Sequence, residues 1–216
     1  MEKPKIKLDI VSDVVCPWCY IGKRRVEKAM AELADEFDFE VRYLPFELNP
    51  IIPATGVNQK EYLTAKFGGP AQYEKITRHV TDVAAGEGLA FDFGRQHVAP
   101  NTRQAHRLIW LAGREGAQAR VKEALMKAYF EQGVDLSQAE NLAAIATGAG
   151  LPAERVKNFL NTDEGAREVA AVEAIHPQRG ITAVPFYIVN DRVGISGAQT
   201  PDVFVRAFRE ISAQKA

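Results

Sequence analysis

The feature that most restricts what this chain can be is the position of its two cysteines. Cys16 and Cys19 are the only cysteines among 216 residues, and they occur together in the sequence Cys-Pro-Trp-Cys. Two neighbouring cysteines cannot build the disulfide framework that stabilises small secreted proteins. In a reducing compartment, a pair with this spacing is typical of a catalytic or metal-binding site.

The pair lies where a predicted strand is followed by a predicted helix. Apolar and polar residues alternate over 5–12, which is the period of a strand. Pro17 suits the first turn of a helix, and an apolar face with helical spacing follows over 26–37. Cys16 is therefore predicted to lie at the helix N-terminus, where unpaired N–H groups favour a thiolate. Cys19, one turn further on, is placed to resolve a mixed disulfide.

A zinc site is the alternative chemistry for two cysteines at this spacing. Zinc in structural sites usually takes four protein ligands, and the sequence has no third cysteine. The histidines lack the spacing of metal ligands; they are His79, His97, His106 and His176. We therefore predict redox chemistry and no bound metal. His106 is interpreted as a packed or hydrogen-bonded helix residue rather than a catalytic one.

Strand signals are found near the two ends of the chain. A second alternating segment, 39–43, completes a β-α-β unit, whose two strands should be parallel. Segments 185–189 and 193–196 flank an Asn-Asp turn, which predicts an antiparallel hairpin. Thr200 then precedes a closing helix with Pro201 in its first turn.

The segment between these ends shows only helical periodicity. The sequence therefore predicts an α/β fold in which 1–50 and 177–216 form one discontinuous domain, built from a βαβ half and a ββα half. Residues 51–176 are predicted to be an all-helical insertion between the halves. We expect this insertion to shape the substrate cleft.

Composition and charge argue against several classes of partner. The formal net charge is −1, which gives no electrostatic case for binding nucleic acid or an anionic membrane. No run approaches the ~20 apolar residues that span a bilayer. The first residues are charged and lack the apolar stretch of a secretory signal, so a cytoplasmic location is expected. The sequence makes no prediction of oligomeric state.

Pro185 is the second feature with a chemical interpretation. It follows Val184 at the beginning of the hairpin segment, where a proline can simply mark the start of a strand. The functional interpretation is a cis peptide bond between these two residues. Such a turn would expose the Val184 backbone beside the dithiol, where an extended substrate could form main-chain hydrogen bonds.

The order of these motifs resembles the thioredoxin superfamily. The resemblance covers the whole length and is to the DsbA-type branch, most closely to its FrnE-like cytosolic members. It is carried by the segments around the dithiol and Pro185, and by Phe46-Glu47-Leu48-Asn49-Pro50, Asn101 to Leu108 and Ile195-Ser196-Gly197-Ala198-Gln199.

This resemblance implies a thioredoxin-like fold and thiol–disulfide oxidoreductase or isomerase activity on a protein or small-molecule substrate. It implies a redox-active Cys16–Cys19 disulfide in which Cys16 is the attacking sulfur, with a cis Pro185 packed against it. No cofactor is required, although glutathione is a candidate redox partner. Trp18 is expected to shape the rim of the dithiol.

Two departures from the family pattern limit this prediction. Strongly oxidising periplasmic members carry a histidine between the cysteines, where this chain has Pro17-Trp18. Many thioredoxins carry a buried acid six residues before the first cysteine, where this chain has Ile10. Asp13 is closer, but the sequence predicts no role for it. We therefore expect moderate thiolate stabilisation and no extreme oxidising potential.

A more distant resemblance favours a different class of enzyme. The segments around Pro17-Trp18, Asn49 and Val184-Pro185 are similar to 2-hydroxychromene-2-carboxylate isomerases and kappa-class glutathione transferases. Those enzymes use a serine where Cys16 stands, and they position glutathione as a co-substrate. A glutathione-dependent isomerase or transferase, with Asn49 and the Val184 backbone as binding groups, is thus the first alternative. A non-catalytic binding module with a vestigial cysteine pair is the second.

Overall fold

The computed structural model describes residues 3–213. Its strands are β1 (Lys5–Ser12), β2 (Asp38–Pro45), β3 (Val57–Asn58), β4 (Val98–Ala99), β5 (Phe186–Val189) and β6 (Val193–Ser196). Its α-helices are α1 (Pro17–Glu32), α2 (Gln59–Phe67), α3 (Pro70–Gly86), α4 (Arg103–Arg114), α5 (Gln118–Phe130), α6 (Ala139–Gly148), α7 (Ala153–Leu160), α8 (Ala166–Ile175) and α9 (Pro201–Ala213). A single 3₁₀ turn, Pro177–Arg179, precedes β5.

The central sheet has four strands in the order β2-β1-β5-β6. Strand β1 pairs with β2 in parallel and with β5 in an antiparallel arrangement, and β5 pairs antiparallel with β6. The β5–β6 turn consists of Asn190 and Asp191, whose φ angles of 52° and 58° belong to a two-residue hairpin turn. The predicted βαβ and ββα halves are both confirmed, and they share one sheet.

The main hydrophobic core lies between the sheet and the helices. Alternate β1 residues project into it, because successive strand side chains point to opposite faces. These are Ile6, Leu8 and Ile10, which pack with side chains of α1, α9 and the insertion. A smaller cluster of Val11, Ile181 and Ile188 covers the opposite face. Strand β1 is buried on both faces, and four residues separate its end from the beginning of α1.

The insertion between the two halves is not purely helical, so that part of the prediction is wrong. Strands β3 and β4 form a short antiparallel ribbon that pairs Val57 with Ala99 and Asn58 with Val98. Two-residue strands are too short to show an alternating pattern in the sequence. The ribbon anchors the loop before α4 to the start of α2, where the Asn58 side chain caps the helix by accepting from the Glu61 N–H.

The remainder of the insertion is helical, as predicted, and several of its helices contact β2. The exact boundaries at 50/51 and 176/177 stay a prediction, and the ends of the predicted ranges, 1–2 and 214–216, lie outside the described residues. Within 3–213, no helix combines the length and apolar character needed to cross a bilayer.

Candidate active site

Cys16 occupies the N-cap of α1. Its backbone is extended (φ −89°, ψ 112°), and its Sγ accepts a hydrogen bond from the Cys19 N–H at 3.3 Å. Pro17 is the first helical residue, and its missing N–H falls where no helical partner exists. The sulfur therefore takes the position that a serine or aspartate oxygen usually holds at a helix N-terminus. Negative charge on Sγ is stabilised by this N–H and by the helix dipole.

Cys19 lies one turn along α1 and is more deeply placed. The two thiols are free, and only 2% of Cys19 and 4% of Cys16 is exposed. Burial raises the pKa of Cys19 well above its ordinary value, and the hydrogen bond and charge of Cys16 raise it further. Cys19 therefore stays protonated while Cys16 reacts. A nearby cation must help Cys19 to ionise when it becomes the attacking group.

The turn before β5 brings Val184 and Pro185 to the dithiol. The Val184–Pro185 peptide bond is cis, the geometry that the resemblance implied. The Cys16 thiol faces the Val184 carbonyl oxygen at 3.8 Å, although 168 positions separate the two residues in the chain. The Val184 backbone thus lies beside the sulfur, where the sequence analysis placed it.

Asp13 is a buried acid close to the dithiol, and sequence reasoning assigned it no role. Its backbone oxygen accepts from the Cys16 N–H at 3.4 Å, and its carboxylate accepts from the Leu48 N–H at 2.8 Å. The His106 Nε2 lies 3.2 Å from Asp13 Oδ1 and 3.2 Å from the Phe46 carbonyl oxygen. Since both neighbours are acceptors, this nitrogen carries a proton.

These contacts decide the ionisation of the Asp13 carboxyl. Burial by itself would raise its pKa, but the hydrogen bond and charge of His106, together with weaker contributions, hold the pKa below its ordinary value. The Leu48 N–H and the charge of Lys122 act in the same direction. His106 is a buried, hydrogen-bonded helix residue as predicted, and it positions a carboxylate next to the dithiol.

Lys122 is the cation of the site, and sequence reasoning missed it. The side chain is 1% exposed, and its Nζ donates to the Ser12 carbonyl oxygen at 3.3 Å. Burial lowers the pKa of Lys122 to about 8, against the opposing charges of Cys19, Asp13 and Cys16. The sequence contains one weak indication of a buried lysine, because Lys122 has the helical spacing of the apolar residues on the buried face of α5, such as Leu125. The Pro17-Trp18 dipeptide carries no charge, so the positive charge near the dithiol comes from Lys122 in the insertion.

A cavity of about 300 Å³ opens beside Cys16, between the dithiol and the insertion. Pro17, Trp18, Asn49 and Val184 all line it with Cys16, so these five predicted site residues meet at one place, whereas Cys19 and Pro185 do not line the cavity. Its surface is mainly apolar. A larger groove of about 1130 Å³ lies between α2, α3 and the loop before β4, and neither cysteine lines it.

Asn49 lies at the cavity wall, but its side-chain oxygen is already occupied. It accepts from the Tyr62 hydroxyl at 2.7 Å and from the Lys66 Nζ at 2.5 Å. Only the amide N–H₂ of Asn49 is left to contact a ligand. The binding role that the sequence analysis gave to Asn49 stays a prediction.

None of the other three histidines lines the cavity beside Cys16. The His176 Nε2 contacts the Pro45 carbonyl oxygen at 2.8 Å, His97 is exposed in a loop, and the His79 ring lies 6.0 Å from that of Trp18. Among residues 3–213, no three His, Cys, Asp or Glu side chains are grouped as a metal site.

Comparison with known proteins agrees with this architecture. The model of the DSBA-like thioredoxin domain matches residues 7–209. The chain is similar to a probable DsbA oxidoreductase from Streptomyces coelicolor, with a TM-score of 0.91 and 34% identity over 98% of this chain and 92% of that one. The Bacillus subtilis (strain 168) protein YwbO, which is uncharacterized, is 26% identical over 97% of this chain and 99% of its own length.

The more distant resemblance is found as well. A 2-hydroxychromene-2-carboxylate isomerase structure has a TM-score of 0.70 and 16% identity, with 97% of each chain covered. Identity this low shows a shared fold alone. The family match over most of the chain, the shared sheet and the dithiol at the N-terminus of α1 lead to one assignment: this chain belongs to the DSBA-like thioredoxin domain family, in the DsbA-type branch of the thioredoxin superfamily.

Proposed function

We propose that this protein is a thiol–disulfide oxidoreductase whose reacting groups are Cys16 and Cys19. The observation that carries the proposal is the position of the Cys16 sulfur. It accepts the Cys19 N–H at the N-terminus of α1, lies 3.8 Å from the Val184 carbonyl oxygen and borders a cavity. The Cys19 N–H and the helix N-terminus favour a thiolate at Cys16, and the cavity lets a substrate reach it.

The exchange takes two steps. In the first, the Cys16 thiolate attacks one sulfur of a substrate disulfide, forms a mixed disulfide and releases the other sulfur as a thiolate. In the second, the Cys19 thiolate attacks Cys16 Sγ, which forms the Cys16–Cys19 disulfide and releases the second substrate thiolate. Two electrons pass from the dithiol to the substrate, and the same steps in reverse oxidise a substrate dithiol.

The residues around the pair support these steps. The charge of Lys122 lowers the pKa of Cys19 against the raising effect of burial, so it promotes the second attack. The Val184 backbone offers hydrogen-bonding groups to a substrate held in an extended conformation. The similarity to a probable DsbA oxidoreductase from Streptomyces coelicolor supports the same reaction class. Isomerase activity is a narrower form of this proposal.

The test is a redox titration of the dithiol against glutathione, with mass spectrometry of the trapped protein. We expect a Cys16–Cys19 disulfide that forms reversibly. Its potential should be well below the ~−120 mV of DsbA, and a value near thioredoxin's ~−270 mV would favour reduction of substrates. Cys19→Ser should accumulate a mixed disulfide on Cys16, and Cys16→Ser should form none. A pair that does not exchange with glutathione or any disulfide contradicts the proposal.

Glutathione-dependent isomerisation or transfer is the second candidate, because Asn49 and Val184 line the same cavity as Cys16. In that reaction glutathione binds as a thiol and Cys19 is dispensable, so Cys19→Ser would keep full turnover. The two retained cysteines favour disulfide exchange. A non-catalytic module would bind its partners unchanged after Cys16→Ser and Cys19→Ser and would lack insulin-reductase activity. The cytoplasmic location stays a prediction.

A further inference from the structure

The cavity beside Cys16 is more than an opening above the sulfur. It extends into the helical insertion, where the walls come from α2, α3, α5 and the loop before β4. These walls are mostly apolar; they include Leu63, Phe67, Ile76, Val80, Phe93 and Phe130. A volume of about 300 Å³ is at the lower end of the range for small-molecule sites.

Gln96 is the one lining residue whose amide is both deeply buried and unpaired, within the part of the chain that the structure describes. Only 4% of the residue is exposed. Its Oε1 accepts from the Gln59 Nε2 at 3.3 Å, and the Gln59 Oε1 in turn accepts from the Tyr73 hydroxyl at 3.3 Å. The Gln96 Nε2 has no hydrogen-bond partner among residues 3–213.

In this chain of hydrogen bonds, the N–H₂ of Gln96 is the group left without a partner among residues 3–213. Tyr73 donates to Gln59, and Gln59 donates to Gln96, so the oxygen of Gln96 is used and its N–H₂ is not. A buried donor without a partner costs about 1–3 kcal/mol. An acceptor atom on a molecule inside the cavity would remove that cost. The position of Gln96 therefore indicates a ligand that carries a hydrogen-bond acceptor.

We propose that the substrate of this dithiol is a small thiol or disulfide whose apolar chain enters the cavity and carries a neutral carbonyl oxygen that accepts from the Gln96 Nε2. This inference rests on the proposed function and specifies its substrate class. The acceptor is expected to be neutral, because a carboxylate is expensive to bury between apolar walls and Lys66, the one cation among the described lining residues, is already paired. The Lys66 ammonium is exposed and contacts Asn49.

The chemistry is the first exchange step. The Cys16 thiolate attacks the disulfide sulfur that bears the apolar chain, the new Cys16 S–S bond forms, and the other half leaves as a thiolate. The apolar chain of the substrate stays attached to Cys16 and remains in the cavity. The contacts of the cavity with this chain therefore stabilise the mixed disulfide and the transition state that leads to it. Substrates with a matching chain should therefore react faster.

The experiment measures the second-order rate of mixed-disulfide formation in the Cys19→Ser variant, by stopped-flow Trp fluorescence and mass spectrometry. The probes are dimethyl 4,4′-dithiodibutyrate, which has an apolar chain and an ester carbonyl, bis(2-hydroxyethyl) disulfide, which is short and polar, and oxidised glutathione, which is larger and charged. Each rate is divided by the rate of the same disulfide with dithiothreitol, which removes differences in intrinsic reactivity. We expect the ester to lead by about tenfold, the effect of ~1.4 kcal/mol.

Gln96→Met tests the acceptor contact, because methionine has a similar length and no N–H₂. In the Cys19→Ser background, it should reduce the advantage of the ester about fivefold, as expected for one neutral hydrogen bond. Gln72→Met is the matched control, since Gln72 is an exposed α3 residue outside the cavity. If Gln96→Met does not fold, Leu63→Trp provides a second test: it fills the cavity and should abolish the advantage of the ester.

The outcomes separate this inference from the proposed function. If the three normalised rates are equal, or if oxidised glutathione or a peptide disulfide reacts fastest, the substrate class is wrong while the exchange chemistry stands. An ester advantage that survives Gln96→Met, or that survives Leu63→Trp if Gln96→Met does not fold, also overturns it. If no probe forms a mixed disulfide on Cys16, the proposed function itself fails.

Discussion

Asp13 and His106, which are 93 positions apart in the chain, lie 3.2 Å from each other in the protein interior. The backbone oxygen of Asp13 accepts from the Cys16 N–H, and His106 lies on helix α4 of the insertion. The contact therefore connects the dithiol to the insertion. Both side chains are essentially inaccessible to solvent. The insertion thus provides a side-chain partner for this carboxylate, in addition to the Leu48 N–H.

Removing that partner should destabilise the protein at neutral pH. The pKa of Asp13 is lowered in the folded state, so its carboxylate contributes stability above its unfolded value near 3.8, and this contribution is lost as the pH falls below that value. We expect His106→Leu to lower the free energy of unfolding at pH 7 by about 3 kcal/mol. Urea denaturation measures this loss of free energy, and His97→Leu is the control because His97 is exposed. A loss that persists in full at pH 3 would contradict the ionic explanation.

Lys122 should control the second step of the exchange. Its charge lowers the pKa of Cys19, so Lys122→Met should raise that pKa and slow the attack of Cys19 on a mixed disulfide by about tenfold at pH 7. With 5,5′-dithiobis(2-nitrobenzoate), the first release of the coloured thiolate reports attack by Cys16 and the second reports resolution. Exposed Lys127→Met on the same helix is the control. An unchanged second phase and an unshifted pH profile would exclude this role.

Lys122→Met should slow the exchange but stabilise the folded protein. Burial lowers the pKa of Lys122 to about 8, so the folded state disfavours its proton, and this unfavourable contribution is relieved only as the pH rises from about 8 to 10.5. Lys122→Met should therefore increase the free energy of unfolding at pH 7, on the order of 1 kcal/mol. Urea denaturation at pH 7 measures this; a destabilised variant would show that the charge of Lys122 is needed to hold Asp13.

Glu173 on α8 should make stability depend on pH between about 4.5 and 7. Burial and the charges of Glu47 and Asp13 raise its pKa to about 7, against the lowering effect of His106, and its Oε1 is buried with no partner among residues 3–213. Because the folded pKa is raised, the protonated form stabilises the fold below pH 4.5, and this contribution is lost as the pH rises through 7.

Glu173→Gln should remove most of that dependence. We expect the variant to be more stable than the wild type at pH 8 by about 1–2 kcal/mol, a value reduced for partial contact with solvent. The measurement is urea denaturation at pH 5 and pH 8, with exposed Glu168→Gln on the same helix as control. If the wild type and Glu173→Gln lose stability equally between these pH values, the carboxyl of Glu173 is not responsible.

Gly22 should be required where α1 passes the Pro185 turn. A Cβ at this position would clash with the Tyr187 hydroxyl oxygen and lie 3.2 Å from the Pro185 Cγ. Gly22→Ala should therefore lower the free energy of unfolding by about 1–3 kcal/mol, despite the higher helix propensity of alanine.

Tyr187→Phe offers a specific rescue of that variant. The Tyr187 hydroxyl is buried without a partner in the described part of the chain, so its removal should be neutral or stabilising. It also deletes the atom closest to the added methyl group. Thermal denaturation of both single variants and the double variant should give a favourable coupling, and strictly additive effects would contradict the steric explanation.

The local part of the active site could be predicted from the sequence. The alternating strand ending at Ser12, the dithiol and Pro17 are neighbours in the chain, so their geometry follows from strand period, proline placement and helix capping. The parallel β1–β2 pair and the β5–β6 hairpin could also be predicted, because the paired segments are close in the chain and each has the sequence pattern of a strand. The β3–β4 ribbon was not predictable, because two-residue strands carry no period.

The sequence by itself thus determined that Cys16 begins a helix and that Cys19 follows it by one turn. Only the tertiary structure decided what surrounds them: Asp13, His106 and Lys122 meet at the dithiol, and Gln96 lines the cavity beside it. Periodicity shows that a helix has a buried face and does not show which residues that face meets. The charges and hydrogen bonds that govern the two thiols depend on contacts between distant segments, and only the packing of the insertion on the sheet creates those contacts.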